Sequence, residues 1–243
     1  PIMSAFADKA QIVYIDYRGN GRSDSGTRDQ WTLAQWVADL KAFMDALEIK
    51  RPMMLGISFG GILAQAFATT HPDLISRLAL VSTGIRSDVD LCARTFEDLG
   101  GPLIGDIARR YFAQSGEEDA EAAFMTHCLP YYSVKEFNTE MMARIIHRPE
   151  VREHFFGKGG EFEGLDFRPL LSRVRCPTLI LHGARDPALP LPLATDIYDA
   201  LPAGLGQIQV IEACGHTIFD DAPDEAMGAL SDFLFCTSSN GIA

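Results

Sequence analysis

No apolar run in this sequence approaches the roughly 20 residues that crossing a bilayer requires, so no membrane-spanning helix is expected. Cysteine is sparse and poorly patterned. The five residues, Cys92, Cys128, Cys176, Cys214 and Cys236, are odd in number and never spaced C-x-x-C, which argues against a disulfide scaffold. Cys128 stands beside His127, but no second ligand pair completes a zinc site. Neither a metal nor a cofactor is expected. Positive charge is also scarce, with 21 Lys and Arg against 33 Asp and Glu and a net charge of −12. Such a chain is a poor match for nucleic-acid phosphates or anionic membrane surfaces. The opening Pro1-Ile2-Met3-Ser4 shows no basic segment followed by an apolar one. The cysteine pattern suits reduced thiols, which sets a cytoplasmic location as the expectation.

What is present suits a folded enzyme-sized domain. Hydrophobic residues make up 47% of the 243 and charged residues 22%, which allows a buried core. Short β-branched or apolar runs predict strands at Ile12–Asp16, Pro52–Ile57, Leu78–Val81, Thr178–Leu181 and Ile208–Ile211. Between the first two, Thr32 can cap a helix whose apolar positions Leu33, Trp36, Val37, Leu40, Phe43, Met44 and Leu47 keep helical spacing. A second helix follows at Ile62–Ala68. Apolar strands alternating with amphipathic helices predict an α/β protein with a mostly parallel, doubly wound sheet. The block 86–171 has no strand-like run; Ile107–Phe112 and Met141–Ile146 look helical. It is too long for a loop and reads as a helical cap inserted into a core of residues 1–85 and 172–243.

Gly56-Ile57-Ser58-Phe59-Gly60 is G-x-S-x-G between a predicted strand and a predicted helix. A sharp turn there lifts the serine hydroxyl above the sheet, and Gly56, Gly60 and Gly61 supply the small residues it needs. The adjoining helix N-terminus favours a developing oxyanion. A serine hydroxyl needs a base, and the base needs an orienting acid. His216 follows the last predicted strand, at the sheet end that also carries Ser58, and is the best base. His71 lies far along the helix after Ser58, His182 shapes a turn, and His127, His147 and His154 belong to the insertion. Loops after parallel strands converge on one edge, so Asp186, after the fourth strand, is the expected acid. Asp88 and Asp90 are the fallback, while Asp220 and Asp221 look like surface carboxylates at a helix start.

These residues carry a resemblance. Asp16-Tyr17-Arg18-Gly19-Asn20-Gly21-Arg22-Ser23, Gly56 to Gly61, Gly183-Ala184-Arg185-Asp186 and Gly215-His216 resemble the α/β-hydrolase superfamily, and within it the proline iminopeptidase-like group. The resemblance implies a cofactor-independent serine hydrolase acting on a small-molecule or short-peptide substrate. Ser58, His216 and Asp186 would form its triad, and the backbone N–H of Phe59 would donate to the oxyanion. Release of an N-terminal residue such as proline would need a carboxylate for the free amine, with Glu97, Glu117, Glu118, Glu121, Glu136, Glu140, Glu150 and Glu153 on offer in the insertion. A carboxylesterase, a lactonase, a C–C bond hydrolase or a non-catalytic ligand binder on the same fold are the alternatives. The resemblance also implies a further strand between Ile12–Asp16 and Met53–Ile57, ending in a loop with the second oxyanion donor. No such segment occurs here, so roughly 30 to 40 N-terminal residues are expected to lie outside this chain.

Overall fold

The computed structural model describes residues 2–113, 119–137, 144–146 and 148–236. Its centre is a sheet of four parallel strands, β1 (Met53–Ile57), β2 (Arg77–Val81), β3 (Thr178–Gly183) and β4 (Gly206–Ile211), in that spatial order. Gly56 stands opposite Leu80, Leu80 opposite Ile180, and Ile180 opposite Ile208. The period of two along each strand divides the core. Leu78, Leu80 and Ile180 face α1 (Leu33–Ala46), α2 (Phe59–Thr70) and α7 (Leu191–Ala200), packing with Trp36, Ile62, Phe67 and Ile197. Ala79, Val81, Leu179 and Leu181 face the other way, toward Leu230 and Phe233 of α9 (Pro223–Phe235) and Met3 and Phe6 of a short 3₁₀ turn. The sheet is thus covered on both faces, as its apolar strands require.

Helix α1 begins where expected, with the Thr32 side chain accepting the Gln35 N–H at 3.2 Å. Its apolar stripe does not all reach the core, however, since Leu47 is exposed.

The largest departure concerns Ile12–Asp16, which pairs with no strand among the described residues. Val13, Tyr14 and Ile15 are exposed, and a groove of about 1010 Å³ runs between this segment and β1. Strand propensity records a fit to a pleated, half-buried surface, and without a neighbouring strand the run stays extended and unpaired. Among the described residues β1 pairs only with β2. The loop that follows is closed by its own bonds: Asp16 accepts from Ser23 Oγ and from the Arg22 N–H, and Arg18 forks onto Asp39 at 2.7 Å. Its Tyr17 ring packs on Trp36 and on Phe59.

Between β2 and β3 the described residues hold α3 (Val89–Gly100), α4 (Pro102–Phe112), α5 (Ala120–His127) and α6 (Pro149–Phe156). Phe96, Ile107, Ala108, Phe124 and Cys128 form a separate buried cluster there. A single antiparallel bridge, Arg86 to Asp166, closes its base. The helix expected at Met141–Ile146 falls partly outside the described residues, and Arg144–Ile146 are not helical.

Candidate active site

The sharp turn after β1 holds Ser58 at φ 52° and ψ −119°, a conformation that costs a non-glycine residue about 1–3 kcal/mol. Two hydrogen bonds keep it there. The Ser58 N–H donates to Val81 O at 2.9 Å, and the Thr83 hydroxyl donates to Ser58 O at 2.8 Å. Gly56 and Gly61 are obligatory: a Cβ on Gly56 would lie 2.4 Å from Gly60 O, and one on Gly61 2.5 Å from the Thr83 side chain. Gly60 differs from expectation, because a Cβ there meets nothing within 4 Å. Phe59 opens α2, so its N–H has no carbonyl within the helix to bond. Its ring is held among Tyr17, Trp36, Phe155 and Phe156, with centroids 5.1–5.6 Å from its own.

The loops after β3 and β4 bring the other two side chains to this turn. His216 Nε2 lies 3.1 Å from Ser58 Oγ, and His216 Nδ1 lies 2.8 Å from Asp186 Oδ2. Asp186 is fully buried, and its Oδ1 accepts the N–H groups of Ala188 and Leu189, each at 2.9 Å. Burial works to raise its pKa, but the pull of His216, its hydrogen bond, nearby His182 and the Leu189 N–H outweigh burial and hold it below the usual carboxylate value. An ionised Asp186 can only accept, so Nδ1 of His216 carries the proton and the neutral ring presents a lone pair at Nε2 to the serine hydroxyl. Asp88, the fallback acid, has other partners than His216. It caps α3 through the Leu91 N–H and receives Arg86 Nη1 at 2.5 Å.

His182 is buried behind this array. Its Nε2 donates to Leu189 O at 2.8 Å and lies 3.6 Å from Asp186 Oδ2, while Nδ1 has no partner. Burial is the main cause of its lowered pKa, opposed by Asp186 and the Leu189 bond, and keeps it neutral. His71 ends α2 against the Phe67 ring, and His154 packs near Trp31. His147 lies outside the described residues.

Asp221 corrects the surface reading made for it. It is buried, with Oδ2 accepting the Gly215 N–H at 2.7 Å and Oδ1 accepting the Ser133 hydroxyl at 2.5 Å. It therefore ties the loop carrying His216 to the segment that precedes α6. Tyr132, from that segment, packs edge-on against the His216 ring at 4.9 Å and accepts the Thr217 N–H. No local sequence signal marks Asp221, since its partner Ser133 is 88 residues away.

Ser58, Phe59 and His216 line a cavity of about 200 Å³. Most other lining side chains are apolar or aromatic, among them Ile62, Phe112, Phe156 and Leu193, and the charged ones are Arg86, Asp88 and Arg152. Of the candidate glutamates, Glu97, Glu121, Glu136, Glu150 and Glu153 are exposed and line no part of it; Glu117, Glu118 and Glu140 lie outside the described residues. Burial raises the Cys92 thiol to about 12, with Asp186 and Asp88 adding to the effect, so this cavity-lining cysteine stays protonated.

A parallel sheet with a serine turn after β1, an acid after β3 and a histidine after β4 defines a class. The chain belongs to the α/β hydrolase fold family, which it matches over residues 1–223. Among its relatives is a proline iminopeptidase of Xylella fastidiosa, 28% identical over 259 aligned positions that cover 93% of this chain and 80% of the relative. A proline iminopeptidase structure from Mycobacterium smegmatis superposes with a TM-score of 0.69 at 22% identity, covering 89% of this chain and 76% of that one. An esterase from Exiguobacterium antarcticum gives a TM-score of 0.66 at 18% identity, covering 91% of this chain and 80% of the other. At these identities the two structures establish a shared fold.

Proposed function

We propose that this protein is a serine hydrolase that cleaves an ester or amide of a small substrate through an acyl-enzyme. The observation that carries the proposal is the continuous hydrogen-bonded chain from Asp186 through His216 to Ser58, with distances of 2.8 and 3.1 Å. His216 Nε2 takes the hydroxyl proton as Ser58 Oγ attacks the carbonyl. Asp186 holds the ring in the required tautomer and stabilises it when protonated. The Phe59 N–H donates to the oxyanion, and the four rings around Phe59 limit how far that donor can drift. Collapse of the tetrahedral intermediate passes the proton from His216 to the leaving group. Water, deprotonated by the same nitrogen, then releases the acyl group.

A cavity of about 200 Å³ suits a short acyl or aminoacyl group. The aminopeptidase reading has the support of the Xylella relative's name. It has less support from the cavity, where Asp88 is the one carboxylate among the described lining residues and both its oxygens are engaged. A panel of short p-nitrophenyl esters and proline arylamides tests the reading. Turnover of esters that is lost by several orders of magnitude in Ser58→Ala is the expected result. Near-normal turnover in that variant contradicts the proposal, and cleavage of the arylamide alone would restore the aminopeptidase reading.

A further inference from the structure

We propose that Arg152 selects a substrate bearing a carboxylate, so that the reacting ester or amide belongs to a small monoanion. This inference rests on the serine hydrolase reading and names the substrate class of that same site. The cavity beside Ser58 is lined by two guanidinium groups and one carboxylate among the described residues, although the chain as a whole carries a net charge of −12. The two cations are not equivalent. Arg86 is pinned between two carboxylates, with Nη1 on Asp88 at 2.5 Å and Nη2 on Asp196 at 3.4 Å. That arrangement already over-compensates its charge and fastens the start of α3 to α7.

Arg152 is held differently. One nitrogen, Nη1, meets Glu121 Oε1 at 3.2 Å, and the Glu121 side chain is 60% exposed, so water and salt weaken that pair. The guanidinium lies 4.8 Å from the centre of the Tyr111 ring, itself stacked on Phe124 at 3.8 Å. The ring contact fixes the plane of the fork, and a side-chain hydrogen bond to Tyr111 engages one of its donors. A guanidinium has five donors in a geometry that matches a carboxylate, and among the described residues Glu121 and Tyr111 use only part of the set. Apolar walls around it lower the local dielectric and strengthen any charge pairing made inside. An ammonium group in the same place would meet the like charge of Arg152 and an Asp88 that is already occupied.

Methyl esters of dicarboxylic acids test this directly, because the monomethyl and dimethyl forms of glutarate and adipate differ mainly in charge. The ratio of kcat/KM for monomethyl over dimethyl ester should be about ten or more in the wild type and should fall about ten-fold in Arg152→Gln. Arg152→Lys, which keeps the charge but loses the fork, should recover part of the ratio. A wild-type ratio at or below one, or a ratio that Arg152→Gln leaves in place, overturns the proposal and assigns Arg152 to its contacts with Glu121 and Tyr111. Calorimetric titration of Ser58→Ala with the same esters reads binding without chemistry. Tighter binding of the monoanion supports the proposal even if the wild type turns over neither ester, a result that would count against the hydrolase reading instead. Equal binding of both forms overturns it.

Discussion

The Asp221 carboxylate takes the Ser133 hydroxyl on one oxygen and the Gly215 N–H, next to His216, on the other. A segment lying between β2 and β3 is thereby joined to the histidine loop through a buried acid. Removing that acid leaves the Ser133 hydroxyl and the N–H groups of Gly215 and Val134 without their acceptor. Asp221→Ala should therefore cost about 3 kcal/mol or more in urea unfolding, against about 1 kcal/mol for Ser133→Ala. The Asp221 variant should also lose turnover in conditions where it stays folded, because the His216 loop loses its anchor. Equal stability of the two variants would show that the buried carboxylate does not hold this junction.

The two glycines flanking the serine turn should respond in opposite ways. Gly56→Ala places a methyl group 2.4 Å from Gly60 O, a backbone atom that cannot move aside cheaply. It should abolish soluble expression or destabilise by several kcal/mol, about 3 or more. Gly60→Ala points into open space and sits in the first turn of α2, where alanine is a better helix former by up to about 1 kcal/mol. Its melting temperature should match or exceed that of the wild type. A Gly60→Ala variant as damaged as Gly56→Ala would mean that the space beside α2 is filled in solution.

Asp186→Asn tests the orienting role of the acid with little change of shape. The amide can present an N–H to His216, which would turn the ring to the wrong tautomer and remove the lone pair facing Ser58. The expected loss in kcat is about 10⁴-fold with the fold retained. A loss under about ten-fold would transfer the role to another acid, with Asp88 the first to examine.

Stability should decline on the acid side earlier than carboxylates alone would dictate. The His182 pKa lies below its ordinary 6.5 in the folded protein because the ring is buried. Below about 6.5 the unfolded chain therefore takes up a proton that the folded chain refuses, so stability is whole above that pH and falls as pH drops toward the folded value. Asp186, with a pKa lowered from 3.8, adds its own loss only as pH falls below the ordinary carboxylate range. His182→Gln keeps an N–H for Leu189 O but cannot titrate, and it should flatten the dependence of unfolding free energy on pH between about 7 and 5. An unchanged slope would assign that window to other groups.

The convergence of Ser58, Asp186 and His216 at the candidate site was legible in the sequence because each follows a strand of one parallel sheet. Ser58, Asp186 and His216 stand after β1, β3 and β4, and a parallel sheet delivers all such loops to the same edge. What local pattern could not supply was non-local pairing. Ile12–Asp16 has the composition of a strand but no adjacent strand to pair with, and composition cannot report a neighbour. Asp221 looked like a surface acid because Asp220 adjoins it and a helix begins there, yet Ser133, 88 residues away, buries it. Arg152 sits on a short helix with mixed polarity, and its contact with Tyr111 and its place in the cavity wall are both non-local.

If Ser58 is an activated nucleophile, labelling with a fluorophosphonate followed by peptide mapping will show it. The wild-type protein should be modified stoichiometrically at Ser58 alone. His216→Ala should react at least about 10³-fold more slowly, since the hydroxyl would then have no base, and Ser58→Ala should not react at that position. No labelling of the wild type, or labelling whose rate is the same in His216→Ala, would contradict the account and leave the three side chains as the lining of a binding pocket.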